Sequence, residues 1–147
     1  MLIEFSVSNY RSFYYEQILS METIASKSDK EKPGNRFNAK ISWAAEKQKD
    51  LSLLKSAIIY GANDAGKTNF IKAIITLRNL VLFSFKKPLS DNNTPQNFLL
   101  DKPLKDKPSS FKITFIKDKV KYSYAISTDF KKIFSEELIS FQYGSPR

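Results

Sequence analysis

The stretch GANDAGKTNF, residues 61–70, decides how the chain is read. Gly61 is followed by four residues and then Gly66-Lys67-Thr68. A triphosphate imposes this spacing on a loop. Its roughly four negative charges are held by backbone N–H groups aimed at the phosphate oxygens, here those of Asn63 to Thr68. Close approach of the backbone calls for glycine at the ends of the loop, which Gly61 and Gly66 supply. The loop should open into a helix whose N-terminus adds roughly half a positive charge. Lys67 reaches the β- and γ-phosphates as a point charge, and the Thr68 hydroxyl is placed to bind Mg²⁺. At average residue frequencies the fixed positions coincide by chance in under about 1% of chains of this length. Asp64 is out of character, because a carboxylate repels phosphate. It can serve there if it takes a left-handed conformation and turns its side chain to solvent.

The flanks match that reading. LLKSAIIY, residues 53–60, is a compact apolar run entering Gly61 and predicts a strand buried on both faces. TNFIKAIITLRNLVLFSF, residues 68–85, holds no glycine or proline and predicts a helix ending before Pro88. Phe70, Ile74, Leu77 and Val81 follow its period, and Ile71, Ile75, Leu80 and Phe83 widen the apolar surface over much of the circumference. Upstream, LIEFSVSNY alternates, with Ile3, Phe5 and Val7 on one side, and YYEQILSME predicts its hairpin partner. Residues 22–50 are polar, with a turn cluster at DKEKPGN and a short strand expected around Ile41 to Trp43. Residues 86–110 hold four of the six prolines and read as a long connection, with a turn at NFLLD packing on something. Alternation then returns. Phe111, Ile113 and Phe115 share one face; Val120, Tyr122, Tyr124 and Ile126 share another, joined by a hairpin turn in IKDKV. A last strand runs through ISFQY.

Composition narrows the classes further. The chain has 147 residues, 41% apolar and 14% aromatic, enough for one domain with a core. It has no cysteine and no histidine, which excludes disulfides, thiolate metal sites and the usual general base. No basic leader precedes an apolar run, and no apolar run nears the ~20 residues of a membrane span, so a cytoplasmic protein is expected. The net charge is +9, but of 24 basic residues only Arg11, Arg36, Arg78 and Arg147 are arginine. The lysines are interleaved with acids and prolines, as in solvated loops rather than one nucleic-acid face.

LIEFSVSNYRSF followed by AIIYGANDAGKTNFIKAI resembles the N-terminal half of an ABC-type ATPase head. The similar families are the SMC-, RecF- and OLD-like ATPases of chromosome maintenance, recombination repair and phage defence, often called AAA-family ATPases. SYAIST…KIFSEELISF also resembles the β-hairpin region of bacterial abortive-infection members. The resemblance implies an α/β P-loop NTPase fold, with antiparallel strands flanking a buried strand, phosphate loop and long helix. The whole chain, residues 1–147, would be one incomplete head domain, with loop insertions at about 22–50 and 86–110. It implies ATP and Mg²⁺ as ligands. Gly61, Ala62, Asn63, Asp64, Ala65, Gly66, Lys67 and Thr68 would form the loop, and Asn69 would touch the α-phosphate or start the helix. Arg11 would lie near the phosphates, with a surface arginine as the other reading. Gln142 is the candidate for the glutamine that senses Mg²⁺, against an ordinary strand residue. Phe13, Tyr14, Phe37 and Trp43 are candidates to stack on the base, or simply core.

In such families hydrolysis needs an apolar strand ending in Asp-Glu, a Ser-Gly-Gly signature and a switch histidine. This sequence carries none of them, so no residue of it is assigned as catalytic. The expectation is a fragment, a truncated frame or half of a split ATPase. It would bind Mg·ATP and hydrolyse it when joined by a C-terminal lobe and a second head, with DNA as a partner of the complete protein. Two other classes stay open. One is a self-contained P-loop kinase or GTPase, although about 55 residues precede the loop here. The other is a basic β-rich nucleic-acid-binding module, although its aromatics fall on the core faces.

Overall fold

The alternation that opens the chain forms β1 (Leu2–Ser8), and the next apolar segment returns beside it as β2 (Gln17–Ser20). The computed structural model describes residues 1–23, 34–42, 48–83, 97–98, 107–129, 131–142 and 145–146. β3 (Arg36–Ser42) and β4 (Gln48–Leu54) pair with each other, and α1 follows over Lys67–Phe83. β5 (Ser109–Lys117), β6 (Val120–Thr128), β7 (Ile133–Gln142) and the short β8 (Ser145–Pro146) complete the sequence of elements. The main sheet has the order β2-β1-β5-β6-β7-β8, and each of its pairings is antiparallel.

The β5–β6 hairpin turns on Asp118 and Lys119, both at positive φ (51° and 64°). That is the two-residue connection whose twist matches its strands. Its register sets Phe111 opposite Ile126, Ile113 opposite Tyr124 and Phe115 opposite Tyr122. The two apolar rows therefore meet on one side of the sheet. Phe70, Ala73, Leu77 and Leu80 of α1 lie there against Phe5, Val7, Phe111 and Ile126. The Phe70 ring sits edge-on to Phe5, with centroids 5.5 Å apart.

A smaller cluster joins Ile3 and Ile116 to Ala39 and Leu53 of the β3–β4 hairpin. Ile3 thus parts company with Phe5 and Val7, contrary to the simple alternation. The cause is a register shift between Leu2 and Glu4, where β1 carries one residue more than β5.

Three further expectations need correction. Residues 22–50 are not merely a loop insertion, because β3 and the start of β4 lie within them; Trp43 falls outside the described residues. The helix is covered on one face rather than around most of its girth, with Ile71, Ile75 and Val81 each about half exposed. The strand expected to enter the loop does not form. Leu53 and Leu54 end β4, whereas Ile58 and Tyr60 are 89% and 90% exposed. No described strand pairs with residues 55–60, and an apolar run without a ladder has nothing to bury it.

Of the NFLLD segment only Asn97 and Phe98 are described, and the expected turn lies outside the described residues. Asn9 donates from Nδ2 to Lys107 O (2.8 Å) and accepts from Phe98 N (3.3 Å), while the Phe98 ring meets Tyr14 edge-on at 5.5 Å. Ser109 Oγ donates to Asn9 O.

Candidate functional site

Residues 61–66 form a turn that feeds α1. Phe70 N–H bonds Gly66 O at 2.9 Å, and Ala65 N–H bonds Ala62 O at 3.3 Å. Ala65 therefore already has a partner inside the loop. The N–H groups of Asn63, Asp64, Gly66, Lys67 and Thr68 bond no partner among the described residues. They cluster at the N-terminus of a 17-residue helix whose first turn carries no acidic side chain. Lys67 Nζ donates to Gly61 O at 2.7 Å and Ala62 O at 2.5 Å, which holds the ammonium against the loop's own carbonyls. The Thr68 residue is exposed one position further on.

Asp64 takes φ 62° and is exposed, the conformation that reconciles a carboxylate with this position. Gly66 takes φ 89°. A Cβ there would lie 2.9 Å from Phe13 Cε1 and 3.1 Å from Ser12 Oγ. Gly61 is under no such pressure, since its Cβ would meet only Ala65 Cβ at 3.6 Å. The two glycines differ: Gly66 is pressed from behind by protein, and Gly61 is not.

The protein behind Gly66 is the corner between β1 and β2. Asn9 and Arg11 are at positive φ (48° and 52°), and Tyr10 and Phe13 exchange backbone hydrogen bonds of 3.1 and 2.9 Å. Asn69 Nδ2 donates to Ser12 Oγ at 2.9 Å. Of the two readings of Asn69, its amide is engaged in tying the helix start to the corner.

Arg11 is directed elsewhere. Its Nε donates to the Tyr10 hydroxyl (3.1 Å), which meets Thr76 Oγ1 at 3.0 Å. Thr76 lies about two and a half turns along α1 from Lys67, some 13 Å at the helical rise. The structure thus gives Arg11 a role in fastening the corner to the helix and does not bring it to the loop. Gln142 is also remote. Its backbone ends β7 beside Ser145, three strand positions from β1. It is also at the Met1 end of the sheet, since Phe141 opposes Lys121, Lys121 opposes Ile116, and Ile116 bonds Met1 O. The loop sits at the other end, by the corner that follows Ser8.

A cleft of about 220 Å³ opens beside the loop, between β2 and the unpaired approach segment. Gln17, Ile18, Tyr60, Lys67 and Phe70 are among its lining residues. Of the three stacking candidates among the described residues, Phe13 alone lines it, and that ring is buried against Gly66 and Phe70. Tyr14 packs on Tyr15 and Phe98, and Phe37 is about half exposed on β3. Sequence reasoning missed Ser12, Gln17 and Tyr60. Ser12 lies within the quoted corner, but nothing in its residue type announces a contact 57 positions away.

Among the described residues no group of three or more Asp, Glu, His or Cys side chains could hold a metal ion by itself. Also among the described residues, no helix is long and apolar enough to cross a membrane.

The family model described as "AAA domain, putative AbiEii toxin, Type IV TA system" matches residues 56–144, from the approach to the loop through β7. No curated protein matches the sequence.

Proposed function

The chain belongs to this AAA-domain family, whose domain type is an ATP-binding P-loop ATPase, and on that premise we propose that Gly61–Thr68 grips the phosphates of Mg·ATP. The observation that carries the proposal is the Lys67 ammonium lying across the loop on Gly61 O and Ala62 O, beside five backbone N–H groups without partners among the described residues. Phosphate offers the ammonium charged oxygens in place of neutral carbonyls, and charge-assisted bonds are roughly twice as strong. The free N–H groups take further phosphate oxygens, and the helix start adds its dipole. Magnesium would be held by the Thr68 hydroxyl and by phosphate, neutralising charge on the transferred group.

The finer reading is the first lobe of an ABC-type head. It is supported by the antiparallel sheet and corner preceding the loop, and by the exposure of Ile58 and Tyr60 just where a central strand is expected. A further lobe would pair with that segment and supply the acidic strand end that activates water; a second head would cap the nucleotide. DNA contact would belong to the completed protein. The abortive-infection branch is favoured over chromosome maintenance or repair, because the matching description names a toxin.

Thermal shift with Mg·ATP tests the phosphate grip. The wild-type chain is expected to gain stability with nucleotide concentration, and Lys67→Ala to lose that gain while folding normally. No shift in the wild type rejects the proposal. Steady turnover by this chain alone would favour the self-contained kinase or GTPase. A salt-sensitive nucleic-acid shift without an ATP effect would favour the basic binding module.

A further inference from the structure

We propose that Ser12 is a positioning residue for the phosphate loop, setting where the turn Gly66–Asn69 stands and so where its N–H donors point. The inference rests on the nucleotide reading above. Ser12 Oγ bonds the helix start and faces the bare Cα of Gly66. It accepts the Asn69 amide at 2.9 Å, and it lies 3.1 Å from where a Cβ of Gly66 would be. Gly66 and Asn69 bracket Lys67 and Thr68, the residues assigned to phosphate and magnesium.

A contact positions its partner only if it is itself fixed. Ser12 sits between Arg11 at φ 52° and Phe13, whose N–H and C=O are both bonded to Tyr10. The Tyr10 ring is 1% exposed, and its hydroxyl is bonded to Thr76 of α1. Asn9 ties the other side of the corner to Lys107 O and Pro108 O. The corner is thus held by the sheet, the helix and the connection before β5, and Ser12 presents a hydroxyl from it to the loop. Serine suits the place. Its oxygen is short enough to lie against a residue without a side chain, and it can still accept an amide. Alanine keeps the packing and removes the acceptor. Threonine keeps the acceptor and adds a methyl group at a residue exposed to solvent.

The test uses Ser12→Ala, Ser12→Thr and Asn69→Ala, read in two ways. Without nucleotide, amide exchange at Phe70 reports the helix start, because that N–H bonds Gly66 O. Ser12→Ala and Asn69→Ala are each expected to speed it about fivefold, the worth of one hydrogen bond, with amides of β5 and β6 unchanged. Ser12→Thr is expected to restore the wild-type rate. With Mg·ATP, Kd is expected to rise about fivefold in Ser12→Ala and to return in Ser12→Thr. Unchanged exchange at Phe70 in Ser12→Ala overturns the inference, as does wild-type Mg·ATP affinity in that variant. If the wild type binds no nucleotide while exchange at Phe70 still responds to Ser12→Ala, the nucleotide reading falls and the corner-to-loop link stands.

Discussion

Replacing Gly66 by alanine puts a methyl carbon 2.9 Å from Phe13 Cε1, 3.1 Å from Ser12 Oγ and 3.4 Å from Phe13 Cζ. Two costs follow. At φ 89° an L-residue is strained by about 1–2 kcal/mol. Relief of the contact requires Phe13 to move, yet its ring is only 9% exposed and packs on Phe70 at 6.2 Å, so overpacking adds about 1–2 kcal/mol. The sum is about 2–4 kcal/mol, which at about 3 °C per kcal/mol lowers Tm by about 6–12 °C. Gly61→Ala is the matched control. Its Cβ meets one methyl at 3.6 Å and its φ is not positive, so its stability should stay within about 0.5 kcal/mol. Calorimetry of both variants without nucleotide measures the difference. Adding Phe13→Leu to Gly66→Ala removes the ring atoms and should recover the packing share, about 1–2 kcal/mol. Equal Tm values for the two alanine variants would refute the claim that Gly66 is pressed from the protein side.

Asp64→Gly should keep or tighten Mg·ATP binding, since it removes a carboxylate and the roughly 1 kcal/mol cost of a non-glycine residue at φ 62°; a clear loss in a titration would show that the carboxylate assists. Tyr10→Phe should cost about 1 kcal/mol in urea unfolding, because the hydroxyl that joins Arg11 to Thr76 is lost. Asp129 accepts the N–H of Lys132 (2.8 Å) and Lys131 (2.9 Å), and the Lys132 bond is the main reason its carboxyl lies below the usual range. The contribution of those bonds is therefore complete above the ordinary carboxylate pKa and fades as pH falls through the lowered one; the Lys131 and Lys132 amide resonances should titrate there, and Asp129→Asn should abolish the titration.

Local rules carried much of this fold. The β1–β2 hairpin, the start of α1 and the β5–β6 turn follow from alternation, helical period and spacing, signals contained within a few residues. What escaped depends on partners distant in the chain. The apolar run through Ile58 and Ile59 looks the same whether or not a neighbouring strand exists to pair with it. Helical period marks Ile71 and Ile75 as apolar but cannot say how many faces are covered. The extra residue at Ile3 is defined only against β5, and of β3 only its end near Ile41 was expected, because polar residues surround Phe37 and Ala39. At the site, the loop's spacing announced its residues. Arg11 and Gln142 were placed by resemblance; here Arg11 bonds the Tyr10 hydroxyl, and the backbone of Gln142 lies at the end of the sheet away from the loop.

The bare ribbon at residues 57–60 has a practical consequence for anyone who purifies this chain. Among the described residues its amides and carbonyls have no partner and β2 has no second neighbouring strand, and beside that edge Ile58 and Tyr60 are nearly naked. Such an edge templates strand addition between molecules. Yield and monodispersity should therefore fall steeply with concentration, and a co-expressed companion that covers the ribbon should restore both.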